Sequence, residues 1–236
     1  MTEELFREDS YLRECQARVT TVGPGQIRLD RTVFYPRGGG QPGDTGVLAL
    51  DNGGEIVIAD TLKDEAGIFH VCAPDTALPG QGTPVTARVD WRPRFRHMRM
   101  HTLLHLVCAV VPCQITGAQV GADKSRVDFD AGDKTLNKEE VEAALNRLIQ
   151  EDHPVTPRWI TDAELDATPD LVRTMKVQPP RGSGRVRLLE IMGVDLQPCG
   201  GTHVARTGEI GPVAVAKIES KGARNRRVNV VLLSQD

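Results

Sequence analysis

Short β-rich runs separated by glycine, proline, asparagine and aspartate fill the chain from about Tyr11 to Asp90. Runs of this length, bounded by turn residues, are typical of antiparallel strands joined by tight connections. They predict a small antiparallel β domain that closes like a barrel. The runs are, in order, ARVTTV, QIRLD, GVLAL, EIVIAD, IFHVC and PVTARVD.

The hydrophobic pattern changes to helical periodicity near Pro93, and a chain of 236 residues has room for two modest domains. We therefore predict one domain over residues 1–91 and a second over residues 92–236. Proline is favoured at a helix start and disfavoured in a helix interior, so Pro93 and Pro112 predict a first helix from about Arg94 to Val110. Its predicted apolar stripe is Phe95, Leu103, Leu106 and Val110.

Two capping signals predict further helices in the second domain. Asn137 followed by Glu140 marks the start of the run KEEVEAALNRLIQ, and Thr161 followed by Glu164 marks the start of a shorter helix. The runs VRLLEI, VAVAKIES and RRVNVVLL predict strands. Helices laid against a mostly antiparallel sheet make this an α+β domain.

Positive charge is clustered along the chain, although the formal net charge is only −3. A solvated face accounts for any one cluster, but three clusters together favour a surface that contacts phosphate. Aromatic residues make up 4% of the chain, which argues against an RNA-binding surface of stacked aromatic side chains. The clusters are Arg92, Arg94, Arg96 and Arg99; Arg181, Arg185 and Arg187; and Lys221, Arg224, Arg226 and Arg227.

Neither the amino terminus nor any later segment has the long apolar run of a membrane-bound protein. The first residues alternate charged and single apolar side chains. The five cysteines are odd in number and irregularly spaced, which fits reduced thiols better than a disulfide framework. We therefore expect a cytoplasmic protein.

Two pairs of potential metal ligands share the same four-residue spacing. His101 and His105 lie about one turn apart on the predicted first helix, so both imidazoles would project from one face. Cys199 and His203 form the second pair. A lone HxxxH is weak evidence, but three histidines and a cysteine in two such pairs suit zinc rather than magnesium or calcium. By spacing alone, His97 and His101 would serve equally well as the helical pair.

Two common enzyme motifs are absent from the sequence. The residue after His101 is Thr102, so the HExxH motif of zinc proteases and its glutamate base are missing. The phosphate-binding motif GxxxxGK[ST] is also missing, so we do not expect nucleoside triphosphate binding. The sequence therefore argues against a zinc protease and against a nucleoside triphosphatase.

Three motifs carry a family resemblance. The runs HTLLHL, from His101 to Leu106, and CGGTH, from Cys199 to His203, resemble the zinc-binding signature of the alanyl-tRNA synthetase editing domain and its free-standing AlaX relatives. The glycine-rich run FYPRGGGQPGDTG, from Phe34 to Gly46, is similar to a segment of the synthetase and of the medium-length AlaX proteins. The motifs cover nearly the whole chain in the family's order. The chain therefore resembles the medium-length AlaX class.

This resemblance implies a barrel-like amino-terminal domain and a two-layer α/β editing domain, similar to the second additional domain of threonyl- and alanyl-tRNA synthetases. It implies one zinc ion per chain on His101, His105, Cys199 and His203, which selects His105 over His97. The implied activity is ATP-independent hydrolysis of the aminoacyl ester of mischarged alanine tRNA, chiefly Ser-tRNA(Ala), with Gly-tRNA(Ala) as a second substrate. Neither a membrane nor an obligate protein partner is expected.

Several positions are candidates for the editing site. Serine differs from alanine by one hydroxyl, so a polar group that bonds this hydroxyl would discriminate between them. Thr116 and Gln119 follow the first helix, where editing domains place pocket residues. The candidate catalytic residues are Cys199, Thr102, Thr116 and Gln119. The candidate substrate and tRNA contacts are Gly38, Gly39, Gly40, Gln41, Gly43, Asp44, Arg181, Arg185, Thr202, Arg224, Arg226 and Arg227.

One position departs from the family pattern, and two other functions fit the same residues. Leu104 occupies a place where the synthetase usually has a hydroxyl residue, which leaves the fine amino-acid preference open. Zinc would also suit a degenerate editing domain that only binds tRNA, or an esterase that acts on a different aminoacyl-tRNA. Intact ligand pairs and an intact glycine-rich motif favour the editing enzyme.

Overall fold

The computed structural model describes residues 2–172, 174 and 184–234. The chain divides into two compact units, Met1–Arg96 and His97–Asp236. This division falls a little after the domain boundary predicted at residue 91, and that boundary stays a prediction. In the described part of the chain, no helix is both long and apolar enough to cross a membrane.

The described residues of the first unit form eight strands, six of which close into an antiparallel barrel. Each of the six predicted β-rich runs overlaps a barrel strand, and the predicted barrel is confirmed. The strands are β1 (Glu3–Glu4), β2 (Glu14–Gly23), β3 (Gln26–Leu29), β4 (Arg31–Thr32), β5 (Gly46–Leu50), β6 (Glu55–Asp64), β7 (Gly67–Cys72) and β8 (Pro84–Val89). The order around the barrel is β2, β3, β7, β6, β5, β8, and the short strands β1 and β4 pair with each other in parallel.

Alternation of side chains along the strands builds the interior of this unit. In β7 every second residue, Ile68, His70 and Cys72, is buried, as expected for a strand with one face in a core. His70 is fully buried; its Nδ1 donates to the carbonyl of Ile27 at 3.2 Å, and its Nε2 lies 2.9 Å from the hydroxyl of Thr32. Burial lowers the pKa of His70 to about 4, so this imidazole is neutral at pH 7.

The first helix, α1 (Trp91–Val110), starts three residues before the predicted start and ends at the predicted residue. Every residue from His97 to Cys108 is buried. The predicted narrow stripe is therefore wrong in one respect: Phe95 and Val110 are only half-buried, while residues on every side of the helix between them are enclosed. A helix enclosed on all sides needs no amphipathic pattern.

The described residues of the second unit form two antiparallel sheets where the sequence predicted one. One sheet has the strand order β14, β15, β10, β9, and the other has the order β11, β12, β13. Strands β9, β10, β11 and β13 were not predicted. Each is short; β9, β11 and β13 contain a glycine or a proline, and β10 carries three charged residues. The elements are β9 (Gln114–Gln119), β10 (Ser125–Asp130), α2 (Lys138–Gln150), β11 (Val155–Ile160), α3 (Asp162–Ala167), β12 (Val186–Ile191), β13 (Asp195–Pro198), β14 (Val213–Ser220) and β15 (Asn225–Leu232).

Both capped helices of the second unit are confirmed. The side chain of Asn137 accepts the first backbone N–H groups of α2, at 2.9 and 3.2 Å. Thr161 and Glu164 exchange the two hydrogen bonds of a capping box at the start of α3. The apolar face of α2 is buried, and Asn146 of this helix exchanges hydrogen bonds with the backbone of β14.

Candidate metal centre

Four side chains from two places in the sequence meet in the second unit. His101 and His105 lie on α1, and Cys199 and His203 lie just after β13. Their potential ligand atoms all lie within 4.8 Å of one another. Cys199 Sγ is 3.1 Å from His203 Nε2 and 3.6 Å from His101 Nε2. His97 is not part of this group, so His101 and His105 are the helical pair that the fold brings together.

The donor set of this group is compatible with zinc. Three imidazole nitrogens and one thiol sulfur are the borderline and soft donors that zinc prefers in tetrahedral sites. Among the described residues no carboxylate oxygen belongs to the group, which speaks against magnesium or calcium. The three histidines are buried residues and Cys199 is a half-buried one.

The electrostatic environment favours the protonation states that bind metals. Burial alone would raise the pKa of the Cys199 thiol, yet electrostatic interactions with His101 and His203 and hydrogen bonds from neighbouring histidines hold it well below its usual range. Burial also holds the pKa of His203 well below its usual range, with a smaller contribution from neighbouring histidines. A thiolate and a neutral imidazole are the metal-binding forms of these side chains.

The pKa of His105 is shifted in the opposite direction, upward. Burial lowers its pKa, but the hydrogen bonds to Asp195 and Cys199 more than compensate and raise the pKa to about 10. In the metal-free site, His105 is therefore a positively charged imidazolium at neutral pH, with one proton more than the neutral ring. A metal ion would have to displace this proton.

Thr102 lies behind the histidines. Its side chain is completely buried, and its hydroxyl donates to the carbonyl of Met98 at 2.9 Å. A hydroxyl has only one proton, so toward His203 Nδ1, 3.2 Å away, and the backbone N–H of Val204, 3.3 Å away, it accepts. This arrangement leaves Nε2 as the proton-free nitrogen of His203, on the side of Cys199. Thr102 therefore orients a potential ligand.

A carboxylate and an amide lie behind His105. Asp195 Oδ2 is 3.0 Å from His105 Nδ1, and the exposed fractions of the two side chains are 5% and 9%. Gln197 Nε2 donates to both carboxylate oxygens of Asp195, at 2.8 and 2.9 Å. Asp195 and Gln197 are two residues apart on β13, so they lie on the same face of that strand.

Arg187 supports the loop that carries Cys199. Its guanidinium donates to the carbonyls of Cys199 and Gly201, at 2.8 and 3.1 Å, and its own carbonyl accepts the backbone N–H of Cys199 at 3.1 Å. Arg187 is buried on β12. Its cluster in the sequence had suggested a phosphate-contacting surface. Arg187 instead supports the metal-binding loop from inside the protein.

The glycine-rich run forms a tight turn in the first unit. Gly38 and Gln41 exchange backbone hydrogen bonds at 3.1 and 2.9 Å. Gly39 and Gly40 have φ values of 57° and 83°, in the region that favours glycine. At Gly43 a Cβ atom would lie 2.3 Å from the backbone oxygen of Thr61, so no larger residue fits there. Whether this turn contacts tRNA stays a prediction.

Three of the predicted contact residues are buried. Asp44 forms a fully enclosed ion pair with Arg94, whose Nε donates to both carboxylate oxygens at 3.0 and 2.9 Å. Gln41 and Thr202 are 1% and 0% exposed. Because a buried side chain presents no surface to RNA, we attribute a structural role to these residues and leave them out of the proposed tRNA contacts.

The first two basic clusters do not form the expected charged surfaces. Arg94 and Arg99 are 0% and 2% exposed, and both donate to backbone carbonyls within their own units. Arg181 lies outside the described residues. Arg185 is exposed, and its guanidinium carbon lies 5.9 Å from the centroid of the Trp159 ring. Of the second cluster, Arg185 is therefore the described residue that keeps a surface position.

The third cluster is partly neutralised. Arg224 forms two hydrogen bonds to Asp130, at 3.0 and 3.1 Å, and Arg227 forms two to Asp128, at 2.6 and 3.0 Å. The side-chain hydrogen bonds of Arg226 run to backbone carbonyls at 3.1 to 3.4 Å. Among the described residues, Arg226 forms no ion pair, so its charge is the least offset of the three.

The two predicted pocket residues lie on β9 and have different surroundings. The hydroxyl of Thr116 accepts a hydrogen bond from Asn225 Nδ2 at 2.9 Å. Gln119 is exposed, and its oxygen accepts from Arg126 at 3.2 Å. Asn225 Oδ1 is buried and makes no hydrogen bond with the described residues. Thr116 therefore lies in the more enclosed polar environment of the two.

Sequence reasoning missed Asp195 and Gln197 and misassigned Arg187. The available signal was weak: an acid and an amide two residues apart, in the four residues before Cys199, would share one strand face if that segment is a strand. Nothing in the spacing connects this face with His105, 90 residues away.

Comparisons with known families cover both units. A family model described as the threonyl and alanyl tRNA synthetase second additional domain matches residues 186–229. A model of class II (A) tRNA synthetases matches residues 6–93. The first match includes the CGGTH motif, and the second includes the glycine-rich run.

Full-length relatives are similar along the whole chain. Alanyl-tRNA editing protein AlaX-M of Methanosarcina mazei is 38% identical over 248 positions, which cover 100% of this chain and 98% of that protein. AlaX-M of Methanosarcina acetivorans is 39% identical, covering 99% and 100%. Alanine tRNA ligase of Pyrococcus abyssi is 35% identical over 92% of this chain but only 24% of the ligase.

Proposed function

This chain belongs to the AlaX family of alanyl-tRNA editing proteins, and we propose that it hydrolyses the ester bond of mischarged alanine tRNA. The proposed substrates are chiefly Ser-tRNA(Ala) and, second, Gly-tRNA(Ala). The observation that carries the proposal is the convergence of His101, His105, Cys199 and His203. A protein with this substrate works where translation takes place, which supports a cytoplasmic location.

The reaction is an ester hydrolysis. A water oxygen forms a bond to the ester carbonyl carbon, and the bond from that carbon to the terminal ribose oxygen breaks. The ribose oxygen takes up a proton, so the products are the free amino acid and a tRNA with a free terminal hydroxyl. Such a reaction needs a positioned water molecule and stabilisation of the negative charge that develops on the carbonyl oxygen.

We propose one zinc ion per chain, held by His101, His105, Cys199 and His203. When bound, zinc would act as a Lewis acid that polarises the ester carbonyl or activates water, provided that a coordination position is open to them, because four protein ligands close a tetrahedral site. The donor set and the lowered pKa of the Cys199 thiol support this assignment. Cys199 is the least buried of the four residues, so we expect the ester to approach from its side.

The remaining candidate residues receive different roles. The enclosed hydrogen bonds of Thr102 support a positioning role toward His203 instead of contact with substrate. Thr116 is the stronger candidate for binding the serine hydroxyl, because Gln119 is exposed to solvent. For tRNA, we propose contacts through the glycine turn at Gly38–Gly40, and through Arg185 and Arg226.

A deacylation assay tests this proposal. Alanine tRNA is charged separately with labelled serine, glycine and alanine, and release of the amino acid is followed with the intact protein. We expect rapid release of serine, slower release of glycine and very little release of alanine. A double variant, His101→Ala with Cys199→Ala, should lose zinc and hydrolysis. His153→Ala is the matched control, because His153 is a half-buried histidine of the same unit that lies outside the metal group.

Each alternative function gives a different result in this assay. A protein that binds zinc and tRNA but releases no amino acid would be a binding module. Faster release from a different aminoacyl-tRNA would identify another ester as the substrate. Full activity of the double variant would exclude a zinc-dependent reaction.

A further inference from the structure

The hydrogen bonds behind His105 form an ordered chain of three side chains. His105 Nδ1 is 3.0 Å from Asp195 Oδ2, and both carboxylate oxygens accept from Gln197 Nε2 at 2.8 and 2.9 Å. The side chains of His105 and Asp195 are almost fully buried, at 9% and 5% exposure. In this arrangement His105 Nδ1, the two Asp195 oxygens and Gln197 Nε2 each have a defined donor or acceptor role.

The donor and acceptor roles determine which nitrogen of His105 faces the other ligands. An ionised carboxylate only accepts hydrogen bonds, so the Nδ1 of His105 must carry the proton. The remaining nitrogen, Nε2, is then the atom that supplies a lone pair to a metal ion once the ion has displaced its proton. Gln197 restricts the carboxylate further, since its amide N–H groups bond both oxygens and hold the carboxylate plane in place.

We propose that Asp195 and Gln197 are positioning residues of the zinc site, in which Asp195 fixes the orientation of His105 and Gln197 fixes the orientation of Asp195. The inference rests on the proposed zinc site. Partners of this kind behind a metal-bound histidine contribute substantially to metal affinity in other proteins. Neither residue contacts the substrate in this proposal.

A purely structural role for Asp195 makes a different prediction. If Asp195 only stabilised β13, its replacement would change zinc affinity equally, whether or not His105 is present. If it acts through His105, its effect disappears once His105 is removed. The effect of replacing Asp195 on zinc affinity, measured once with His105 present and once with His105 removed, therefore separates the two roles.

The test measures zinc affinity of the full-length, metal-free protein by competition with a chromophoric chelator. We expect Asp195→Asn to weaken zinc binding by about 10- to 100-fold and Gln197→Met to weaken it less, by up to about tenfold. In the His101→Ala variant, which retains His105, adding Asp195→Asn should still weaken zinc binding. In the His105→Ala background it should change affinity less than about threefold.

Controls keep the outcome unambiguous. Asp130→Asn removes a half-buried carboxylate of the same unit, paired with Arg224, and should leave zinc affinity unchanged. If His105→Ala does not fold, His105→Gln replaces it, and circular dichroism verifies each variant. An intact protein without zinc affinity contradicts the proposed function itself. Zinc binding that is insensitive to Asp195→Asn, or equally sensitive in both backgrounds, overturns only the role assigned to Asp195.

Discussion

Substitution of Thr102 tests whether this residue orients the potential ligand His203 or contacts the substrate. Its hydroxyl is completely buried and donates to Met98, so it is the acceptor for two N–H groups, those of His203 Nδ1 and the Val204 backbone. Thr102→Val has nearly the same shape but no acceptor. Each buried N–H group left without a partner costs about 1–3 kcal/mol, and the longer of the two bonds lies at the weak end of that range. We therefore expect a loss of about 2–4 kcal/mol in the free energy of unfolding.

The matched control for this variant is Thr102→Ser. Serine keeps the acceptor and removes one buried methyl group, which should cost only about 1 kcal/mol. Urea unfolding of the metal-free protein measures the stability difference, and chelator competition measures zinc affinity. Thr102→Val should bind zinc at least about tenfold more weakly than Thr102→Ser, because the imidazole of His203 is no longer held.

Two outcomes would refute this role for Thr102. If the valine and serine variants are equally stable and bind zinc equally well, the hydroxyl does not hold His203. If Thr102→Val keeps stability and zinc but loses deacylation, the hydroxyl acts on the substrate, as a catalytic residue would. The second result would restore the role that the sequence first suggested.

Three further predictions concern other parts of the chain. Thr116→Val should lower kcat/KM for Ser-tRNA(Ala) by about 1–3 kcal/mol in transition-state binding but leave Ala-tRNA(Ala) unchanged; an equal loss on both would exclude a selective role. Arg226→Gln should reduce the salt dependence of tRNA binding more than Arg224→Gln, whose charge is already paired; equal effects would contradict this difference. Because the pKa of His70 falls from 6.5 to about 4 on folding, the unfolded chain binds more protons between these values, so stability should drop by about 3 kcal/mol as pH falls from 6.5 to 4. Urea unfolding across this pH range should show that His70→Gln removes this component, and an unchanged slope would contradict it.

The barrel and the metal group are predictable because their signals are local. Alternating apolar residues and turn residues mark each barrel strand within ten residues, and the four-residue spacing of two ligand pairs marks the site. The short strands of the second unit give weaker signals. Pro157 lies inside β11 and Gly117 inside β9, and both residues normally indicate an interruption.

The side chains behind the ligands were not predictable from the sequence. Thr102 and His203 are 101 residues apart, and His105 and Asp195 are 90 residues apart. Spacing shows which residues share a helix face, but it does not show which distant strand covers that face. Clusters of basic residues are poor predictors of an exposed charged surface for the same reason. Arg187 is buried by long-range packing, which no local sequence pattern indicates.

The bonds from Arg187 to the Cys199 loop bear on how metal loading relates to folding. The backbone and side chain of Arg187 together hold this loop against β12 through three hydrogen bonds, none of which involves a metal ion. A loop already fixed loses little conformational entropy when an ion arrives. Small zinc modules, in contrast, fold only as the metal binds. We therefore expect a chelator to remove the metal and leave this unit folded, so that occupancy follows the free zinc concentration around the protein and not its folding history.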